Sequence, residues 1–230
     1  GCGPARGRRG SLDQGASVML GIVDYGAGNL FSVQNAFRFL GFQTEIICNG
    51  KQLYSAGGLI LPGVGAFPDA MRRLWESGMV PPLRELAGKK PLLGICLGMQ
   101  MLFERGFEFE ETEGLGLIPG EVRLLDAGGR KLPHIGWNSL ERNGPCPLLD
   151  EAEQEPYVYF VHSYGAVCEA EYVAAYTDYG GKIPALVQNG LVFGAQFHPE
   201  KSGEAGLSIL RRFAQLAGEA PEKAKGADGT

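Results

Sequence analysis

Short apolar runs and longer amphipathic stretches alternate in the first half of the chain. The apolar runs are residues 19–24, 44–48, 58–61 and 91–95. Continuous apolar runs of this length are typical of strands that are covered on both faces. The sequence therefore predicts four strands in this half, of which residues 19–24 have the pattern of a strand covered on both faces.

Two of the stretches between these runs have helical spacing. In residues 30–40, apolar side chains recur every three or four positions, and Gly41 follows where a left-handed helix cap is favoured. Residues 68–86 show a similar pattern, which is broken at Gly78 and at Pro81-Pro82. Repeated strand-then-helix units predict a parallel sheet with right-handed crossovers and helices on both faces.

The second half changes character, because short strand patterns replace the helical spacing between residues 117 and 196. Asn189-Gly190 predicts a type I′ hairpin, and residues 204–216 predict a final helix with an apolar stripe. The fold predicted for residues 19–217 is one α/β domain, whose mixed, mostly parallel sheet gains antiparallel strands late. The strands predicted in this half are 121–125, 131–135, 157–161, 173–179, 185–188 and 191–196.

Composition and charge exclude several classes of protein. The chain has 230 residues, of which 44% are hydrophobic and 20% charged, as in globular proteins. Its 21 basic and 26 acidic side chains leave a net charge of -5, which offers no positive field to nucleic acid or anionic lipid. No apolar run approaches the ~18 residues of a membrane span. Five scattered cysteines without a Cys-x-x-Cys pair favour a reducing cytoplasm over a disulfide frame or structural zinc.

The two ends of the chain lack the patterns of a fold. Residues 1–18 are rich in Gly and Arg and lack the apolar core of a secretory signal, which predicts a leader or disordered extension. A short Arg-rich transit remnant is the alternative. Residues 218–230 are polar and predict a disordered tail.

Cys96 is the strongest candidate for chemistry. It lies in the segment Gly94-Ile95-Cys96-Leu97-Gly98, where a buried strand must turn abruptly into a helix. This is the pattern of a nucleophile elbow with cysteine in place of serine. The flanking glycines fit a tight, strained turn, and a helix N-terminus favours the nucleophilic thiolate. The alternative is a small, buried structural cysteine.

His198-Pro199-Glu200 offers the partners that a nucleophilic cysteine needs. On extended backbone His198 and Glu200 project to the same face, so the carboxylate can orient the imidazole. The segment follows a predicted strand, and α/β sheets place their sites at the carboxyl ends of strands. An isolated His-Pro-Glu is also compatible with a solvated turn. Its combination with the elbow predicts a triad of Cys96, His198 and Glu200.

Pro62-Gly63-Val64-Gly65 follows another buried strand and predicts an oxyanion hole. Attack on an amide creates a tetrahedral oxyanion that needs backbone N–H donors. Leu97, next to the nucleophile, offers one donor, and the turn at Gly63 and Val64 offers the second. Glycines on both sides of Val64 let its peptide reorient, so such a hole can assemble on demand. An ordinary Gly-Pro loop is the alternative.

Together these motifs resemble those of the class I, or triad, glutamine amidotransferases. The resemblance is carried by PGVG (62–65), GICLGMQ (94–100) and FHPEK (197–201). Three further segments resemble the glutaminase subunits of imidazole glycerol phosphate synthase in histidine biosynthesis: DYGAGNL (24–30), LPHIGWN (132–138) and YFVHSY (159–164). The resemblance covers residues 19 to about 217 and implies a flavodoxin-like fold.

The resemblance implies hydrolysis of glutamine to glutamate and ammonia, with no metal and no cofactor. Cys96 would attack the side-chain amide, His198 would move protons, and Glu200 would orient His198. These residues also have interpretations without a role in binding. Gln100 could be a helix-surface residue and Glu108 part of a solvated acidic run. Ser163 and Tyr164 could belong to the core or the rim. His134 and His162 are interpreted as structural. The implied glutamine-binding residues are Gly65, Gln100, Glu108, Ser163 and Tyr164.

The resemblance also implies a partner that uses the ammonia. Ammonia released into water would be lost or protonated, so such subunits deliver it through a tunnel to a (β/α)8-barrel cyclase that forms imidazole glycerol phosphate and AICAR. A 1:1 heterodimer is expected, with a glutaminase that is nearly silent until the partner binds its ligand. Trp137 suits an interface anchor, with a core aromatic as the alternative. The implied interface residues are Asn29, Trp137, Tyr159 and Lys201.

Other functions stay open on the sequence. Another triad amidotransferase, serving anthranilate or pyridoxal phosphate synthesis, would keep the triad and change the partner. A cysteine peptidase or γ-glutamyl hydrolase would need no partner, and a scaffold domain would tolerate Cys96→Ala. A Rossmann dehydrogenase is disfavoured, because Gly26-Ala27-Gly28 lacks the third glycine and the correctly spaced acidic residue.

Overall fold

The four apolar runs of the first half form the parallel part of a large sheet. The computed structural model describes residues 19–152 and 155–218. The strands lie side by side in the order β2-β1-β3-β4, each parallel to its neighbour. β1, β3 and β4 are buried throughout, whereas β2 at the sheet edge is partly exposed. Their bounds are β1 (Leu20–Val23), β2 (Thr44–Ile47), β3 (Gly58–Gly63) and β4 (Leu92–Cys96).

Within the described residues, five α-helices accompany the sheet and cover both of its faces. Side chains of α1 and α5 belong to one hydrophobic core, and those of α2, α3 and α4 belong to a second. The prediction of helices on both faces is therefore confirmed. The helices are α1 (Leu30–Phe39), α2 (Phe67–Glu76), α3 (Val80–Leu86), α4 (Leu97–Gln100) and α5 (Gly203–Leu216).

Two details of the helix predictions need correction. The pattern of residues 68–86 is interrupted at Gly78, where φ is +72°, but Pro81 and Pro82 stand in the first turn of α3. Proline starts a helix there because first-turn N–H groups need no partner within the helix. For the last helix, the sequence predicts an apolar stripe of Leu207, Leu210, Phe213 and Leu216. In α5, Leu210 and Phe213 are buried as expected, but Leu216 is exposed, and Ile209 belongs to the buried face instead.

Ten further strands follow β4 in the part of the chain that the structure describes. β14 is parallel to β4, and β13, β12 and β9 extend the sheet beyond it in antiparallel fashion. This confirms the late antiparallel extension. β8 pairs with β10, and a further sheet has the order β11-β7-β5-β6. The ten are β5 (Phe103–Gly106), β6 (Thr112–Glu113), β7 (Ile118–Leu124), β8 (His134–Ser139), β9 (Glu141–Arg142), β10 (Tyr157–His162), β11 (Tyr164–Val167), β12 (Val173–Asp178), β13 (Lys182–Asn189) and β14 (Val192–Ala195).

Several strand predictions for this half are wrong in detail. β8 begins at His134, after a cis Leu132-Pro133 peptide, rather than at residue 131. β13 and β14 form the expected hairpin, but Asn189 pairs with Val192, and Gly190 alone has a positive φ in the loop. A type I′ turn needs positive φ at both central residues, so that turn type is excluded. The sequence patterns also missed β5, β6, β9 and β11.

The predicted leader (1–18) and most of the predicted tail (218–230) lie outside the described residues, so both remain predictions. Among the residues that the structure describes, no helix is long and apolar enough to cross a membrane.

Candidate active site

Cys96 lies on a sharp elbow between β4 and α4. Its backbone has φ +55° and ψ −112°, a region that non-glycine residues rarely adopt. A Cβ on Gly94 would lie 2.6 Å from the carbonyl oxygen of Gly98, and a Cβ on Gly98 would lie 1.8 Å from that of Leu61. The strand-to-helix turn therefore accepts only glycine on both sides of Cys96.

His198 and Glu200 form a buried pair after β14. The Nδ1–H of His198 donates to Oε1 of Glu200 at 2.8 Å, and both side chains are almost inaccessible. His198 has an extended backbone, but Pro199–Lys201 is a short 3-10 helix, so the expected fully extended segment is wrong. The turn brings the two side chains together. The other Glu200 oxygen is buried and has no hydrogen-bond partner among the described residues. Within that part of the chain, His198 is therefore the side chain that the carboxylate binds.

The electrostatics of this pair favour a charged imidazole. Burial alone lowers the pKa of His198, but hydrogen bonds to Cys96 and Glu200 and the negative charges of both raise it to about 9. Because Nδ1 is bound to Glu200, Nε2 is the nitrogen left to exchange a proton with Cys96. An imidazolium next to the cysteine favours the thiolate.

Hydrogen bonds hold the main chain of His198 at both its N–H and its carbonyl oxygen. One of them comes from Ser202, a residue that sequence analysis missed. The hydroxyl of buried Ser202 donates to the carbonyl oxygen of His198 at 2.6 Å and accepts from the N–H of Tyr159 at 3.0 Å. The N–H of His198 in turn donates to the carbonyl oxygen of Tyr159 at 2.9 Å. The contact between Ser202 and Tyr159 spans 43 positions, so no local signal marks it.

A cavity of about 410 Å³ opens in front of Cys96 and His198. It contains all five predicted glutamine-binding residues, together with Val64 and Leu97 of the predicted oxyanion hole. Gly63 and Glu200 lie behind this surface and do not line it. The lining residues are Val64, Gly65, Cys96, Leu97, Gln100, Glu108, Pro133, Val161, His162, Ser163, Tyr164, His198 and Lys201.

Gln100 and Glu108 are both engaged with the protein. Gln100 is buried, and its Nε2 donates to the carbonyl oxygen of Tyr164 at 2.9 Å and to Oε1 of Gln196 at 3.1 Å. The helix-surface alternative for Gln100 is therefore wrong. Oε2 of Glu108 accepts from the N–H of Phe67, the first residue of α2, at 2.8 Å. A carboxylate there stabilises the helix start, so Glu108 is more than part of a solvated acidic run.

The glycine-rich turn after β3 is held firmly at one end only. The hydroxyl of Tyr25 donates to the carbonyl oxygen of Pro62 at 3.0 Å, and a Cβ on Gly63 would lie 2.6 Å from the backbone nitrogen of Gly98. Val64, by contrast, is 46% exposed. Gly65 has φ +99°, and nothing lies within 4 Å of where its Cβ would be. The two halves of the turn thus differ sharply in how tightly they are packed.

His134 and His162 form a second histidine pair. Nδ1 of His162 donates to the carbonyl oxygen of Tyr164 at 2.8 Å, and Nδ1 of His134 lies 3.1 Å from Nε2 of His162. Burial is the largest cause that lowers the pKa of His162, to about 4, so its ring is neutral at pH 7. The pair is part of the buried framework, although His162 also borders the cavity.

The predicted interface residues do not share one environment. Trp137 on β8 is 53% exposed, so the core alternative is wrong, and the edge of its ring packs on Tyr159 of β10 with centroids 6.0 Å apart. Lys201 is exposed at the rim of the cavity. Oδ1 of Asn29 accepts from the N–H of Ser32 at 3.3 Å and caps α1.

The fold and the site define a cysteine-dependent amidotransferase of the triad class. The chain belongs to the class I glutamine amidotransferases, because the model of that family, described as glutamine amidotransferase class-I, matches residues 21–216.

Two curated relatives are similar to this chain over most of its length, and both are named imidazole glycerol phosphate synthase subunit HisH. The protein of Bacillus cereus (strain B4264) is 50% identical over 196 residues, which cover 85% of this chain and 93% of the relative. The protein of Desulfitobacterium hafniense is 51% identical over 203 residues, which cover 87% of this chain and 96% of the relative.

Solved structures agree with the fold. A crystal structure of a glutamine amidotransferase aligns with a TM-score of 0.69 at 23% identity, over 87% of this chain and 99% of that one. The structure of PurLQS from Thermotoga maritima aligns with a TM-score of 0.69 at 21% identity, over 86% and 98%. At these identities the structural similarity shows the fold alone.

Proposed function

We propose that this protein is the glutaminase subunit of an imidazole glycerol phosphate synthase. It hydrolyses glutamine to glutamate and ammonia and passes the ammonia to a (β/α)8-barrel cyclase, which forms imidazole glycerol phosphate and AICAR in histidine biosynthesis. The observation that carries the chemistry is the buried His198–Glu200 pair beside Cys96 on its elbow. The pathway is supported by relatives of about half-identical sequence that bear this subunit's name.

The first half of the reaction forms a thioester. The Cys96 thiolate attacks the side-chain amide carbon of glutamine, and the oxyanion that forms is bound by the N–H groups of Leu97 and of the turn at Gly63-Val64. The His198 imidazolium gives its Nε2 proton to the amide nitrogen, which leaves as ammonia. The glutamyl group remains bound to the sulfur.

The second half returns the enzyme to its starting state. Neutral His198 takes a proton from water, and the resulting hydroxide attacks the thioester carbon. The carbon–sulfur bond breaks, and glutamate and the Cys96 thiolate are released. Glu200 keeps the proton on Nδ1 of His198 throughout, so that Nε2 alone moves protons between steps.

The cavity lining supports a role in binding an amino acid. Glu108 binds the α-ammonium of glutamine in this proposal, because an acidic group at the cavity wall attracts a cation. Gln100, whose Nε2 is engaged with the protein, has its Oε1 left to accept from the substrate. Ser163 and Tyr164 also line the cavity, and Gly65 leaves room at the turn.

Trp137, which is exposed, and Tyr159, which is half-buried, fit a partner interface that is coupled to catalysis. Tyr159 joins the pair to the triad through its main chain, because its carbonyl oxygen accepts from the N–H of His198. A partner that presses on these rings would act one hydrogen bond from the catalytic histidine. Lys201, three residues beyond His198, and Asn29 at the start of α1 complete the interface that we propose.

The unequal packing of the oxyanion turn supports a glutaminase that is nearly silent alone. Pro62 and Gly63 are closely packed, whereas Val64 is exposed and the space around Gly65 is open, which leaves room for this half of the turn to change conformation. Binding of the cyclase and its nucleotide ligand would then turn the Val64 peptide toward the oxyanion. Equal turnover with and without the partner would contradict this part of the proposal.

The decisive experiment measures glutamate release from glutamine by the chain alone and with the cyclase subunit plus its nucleotide ligand. Cys96→Ala is the control. Activation by the cyclase that is abolished in Cys96→Ala would establish the chemistry and the pathway. Glutamate release that depends on Cys96 but is unchanged by the cyclase would support the triad and indicate a different pathway. No glutamate release in any condition would favour a scaffold role.

A further inference from the structure

Gln196 is a fully buried amide that the mechanism above does not use. It follows β14 and precedes His198 by two residues, and its main-chain N–H donates to the carbonyl oxygen of Ala185 at 2.9 Å. Its side-chain Nε2 lies 3.9 Å from the sulfur of Cys96. Burying an amide costs free energy unless its polar atoms are hydrogen-bonded, so the partners of Gln196 next to the nucleophile indicate its role.

The hydrogen-bond network settles which way this amide points. Nε2 of Gln100 donates to the carbonyl oxygen of Tyr164, which can only accept, so the group facing Gln196 is an N–H donor. The Gln196 atom 3.1 Å from that donor must therefore be its oxygen. The NH2 group of Gln196 is left to face the sulfur of Cys96.

Such a donor acts differently on the two forms of the nucleophile. A thiolate accepts hydrogen bonds strongly, whereas a thiol is a weak acceptor. Inside the protein the difference is larger than in water, because the local dielectric constant is low. The helix that follows Cys96 has only four residues, so its dipole adds little, and a side-chain donor has more to contribute.

We propose that Gln196 is a positioning residue whose side-chain N–H binds the Cys96 sulfur and favours the thiolate oriented toward the cavity. Gln100 fixes the rotamer of Gln196, so the two amides form a chain from the cavity wall to the nucleophile. The inference rests on Cys96 being the nucleophile of the proposed glutaminase. It adds a donor to the thiolate that is independent of His198.

The test follows the pH dependence of Cys96 alkylation by iodoacetamide, detected by mass spectrometry of the Cys96 peptide. Gln196→Met removes the donor at similar volume, and Gln196→Glu keeps an acceptor for Gln100 while placing a carboxylate against the sulfur. We expect the alkylation midpoint to rise by about one pH unit in Gln196→Met and by more in Gln196→Glu. Gln188→Met, on neighbouring β13, is the matched control and should not move the midpoint.

Unchanged midpoints in folded Gln196 variants would overturn the proposal. A merely structural role also predicts an unchanged midpoint in Gln196→Met, because a side chain of similar volume keeps the burial of the sulfur. The titratable groups that face the Cys96 sulfur include His198 and Tyr25, and the wild-type residues remain at both positions in every variant.

A measurement on the wild-type chain keeps the test valid if the variants fail to fold. The side-chain 15N–1H resonances of Gln196 should shift with the midpoint found by alkylation, and this shift should vanish in Cys96→Ala. Resonances that do not respond would overturn the proposal. Because neither readout uses glutamine or the cyclase, a failure of this inference can be distinguished from a failure of the proposed function.

Discussion

Gly98 lies directly beneath the end of β3, where a Cβ on it would be only 1.8 Å from the carbonyl oxygen of Leu61. This close approach brings the elbow at Cys96 next to the glycine-rich turn after β3, which we propose as part of the oxyanion hole. Packing of this kind cannot relax by moving a flexible side chain, because the clash is with main-chain atoms. The geometry of the nucleophile therefore depends on a residue that has no functional group.

Gly98→Ala should lower the free energy of unfolding by at least about 3 kcal/mol and abolish glutaminase activity, because β3 and α4 must separate to admit the methyl group. Urea unfolding and glutamate release measure the two effects. Gly144→Ala is the matched control, since a Cβ there meets nothing within 4 Å, and its stability should stay within about 0.5 kcal/mol of wild type. A stable, active Gly98→Ala would refute the packing argument.

Ser202→Ala should lower both stability and turnover. Its hydroxyl bridges the main chains of His198 and Tyr159, so removing it leaves a buried N–H without that partner, at a cost of about 1–3 kcal/mol. We expect kcat to fall about tenfold or more, because the catalytic imidazole loses its fixed position. Steady-state kinetics check this, with Ser208→Ala on α5 as the control. Equal kcat in the two variants would contradict a positioning role for Ser202.

Substitutions of Glu108 should separate its two contacts. Gln at this position keeps an acceptor for the N–H of Phe67 but loses the charge, so Glu108→Gln should raise KM for glutamine about tenfold with little loss of stability. Glu108→Ala also loses the cap of α2 and should unfold with about 1 kcal/mol less free energy. Glu110→Gln, on the same acidic segment, is the control. An unchanged KM in Glu108→Gln would show that Glu108 serves only the helix.

Acid should destabilise the protein through His162. The pKa of His162 is about 4 in the folded protein against 6.5 for the free side chain, mainly because of burial, so the unfolded chain binds the proton first as pH falls. This contribution to stability is present above pH 6.5 and decreases toward pH 4. From pH 7 to pH 5 it should remove about 2 kcal/mol of unfolding free energy.

Urea unfolding of wild type and His162→Gln at pH 7 and pH 5 checks this effect. The variant should lose less stability between the two pH values than wild type. The residual loss includes His134, whose pKa burial also lowers. Identical losses in both proteins would assign the acid sensitivity to other groups.

The sequence by itself was sufficient for the features that depend on neighbouring residues in the chain. The buried strands β1, β3 and β4 and helix α1 follow from local periodicity, and the elbow at Cys96 follows from glycines within two positions of it. The pairing of His198 with Glu200 was also predicted, although the reason given was wrong, because a 3-10 turn rather than extended backbone joins them. Local spacing restricts which side chains can meet, whatever the turn type.

Only the tertiary structure decided the features that depend on partners far along the chain. The short strands β5, β6, β9 and β11 exist because other strands pair with them, and runs of two to four residues carry no reliable pattern. The contact between Gln196 and Cys96 spans 100 positions. Glu108 reaches the start of α2 across 41 positions. A hydrogen bond depends on distance in space, and distance in space between remote residues is set by how the elements pack.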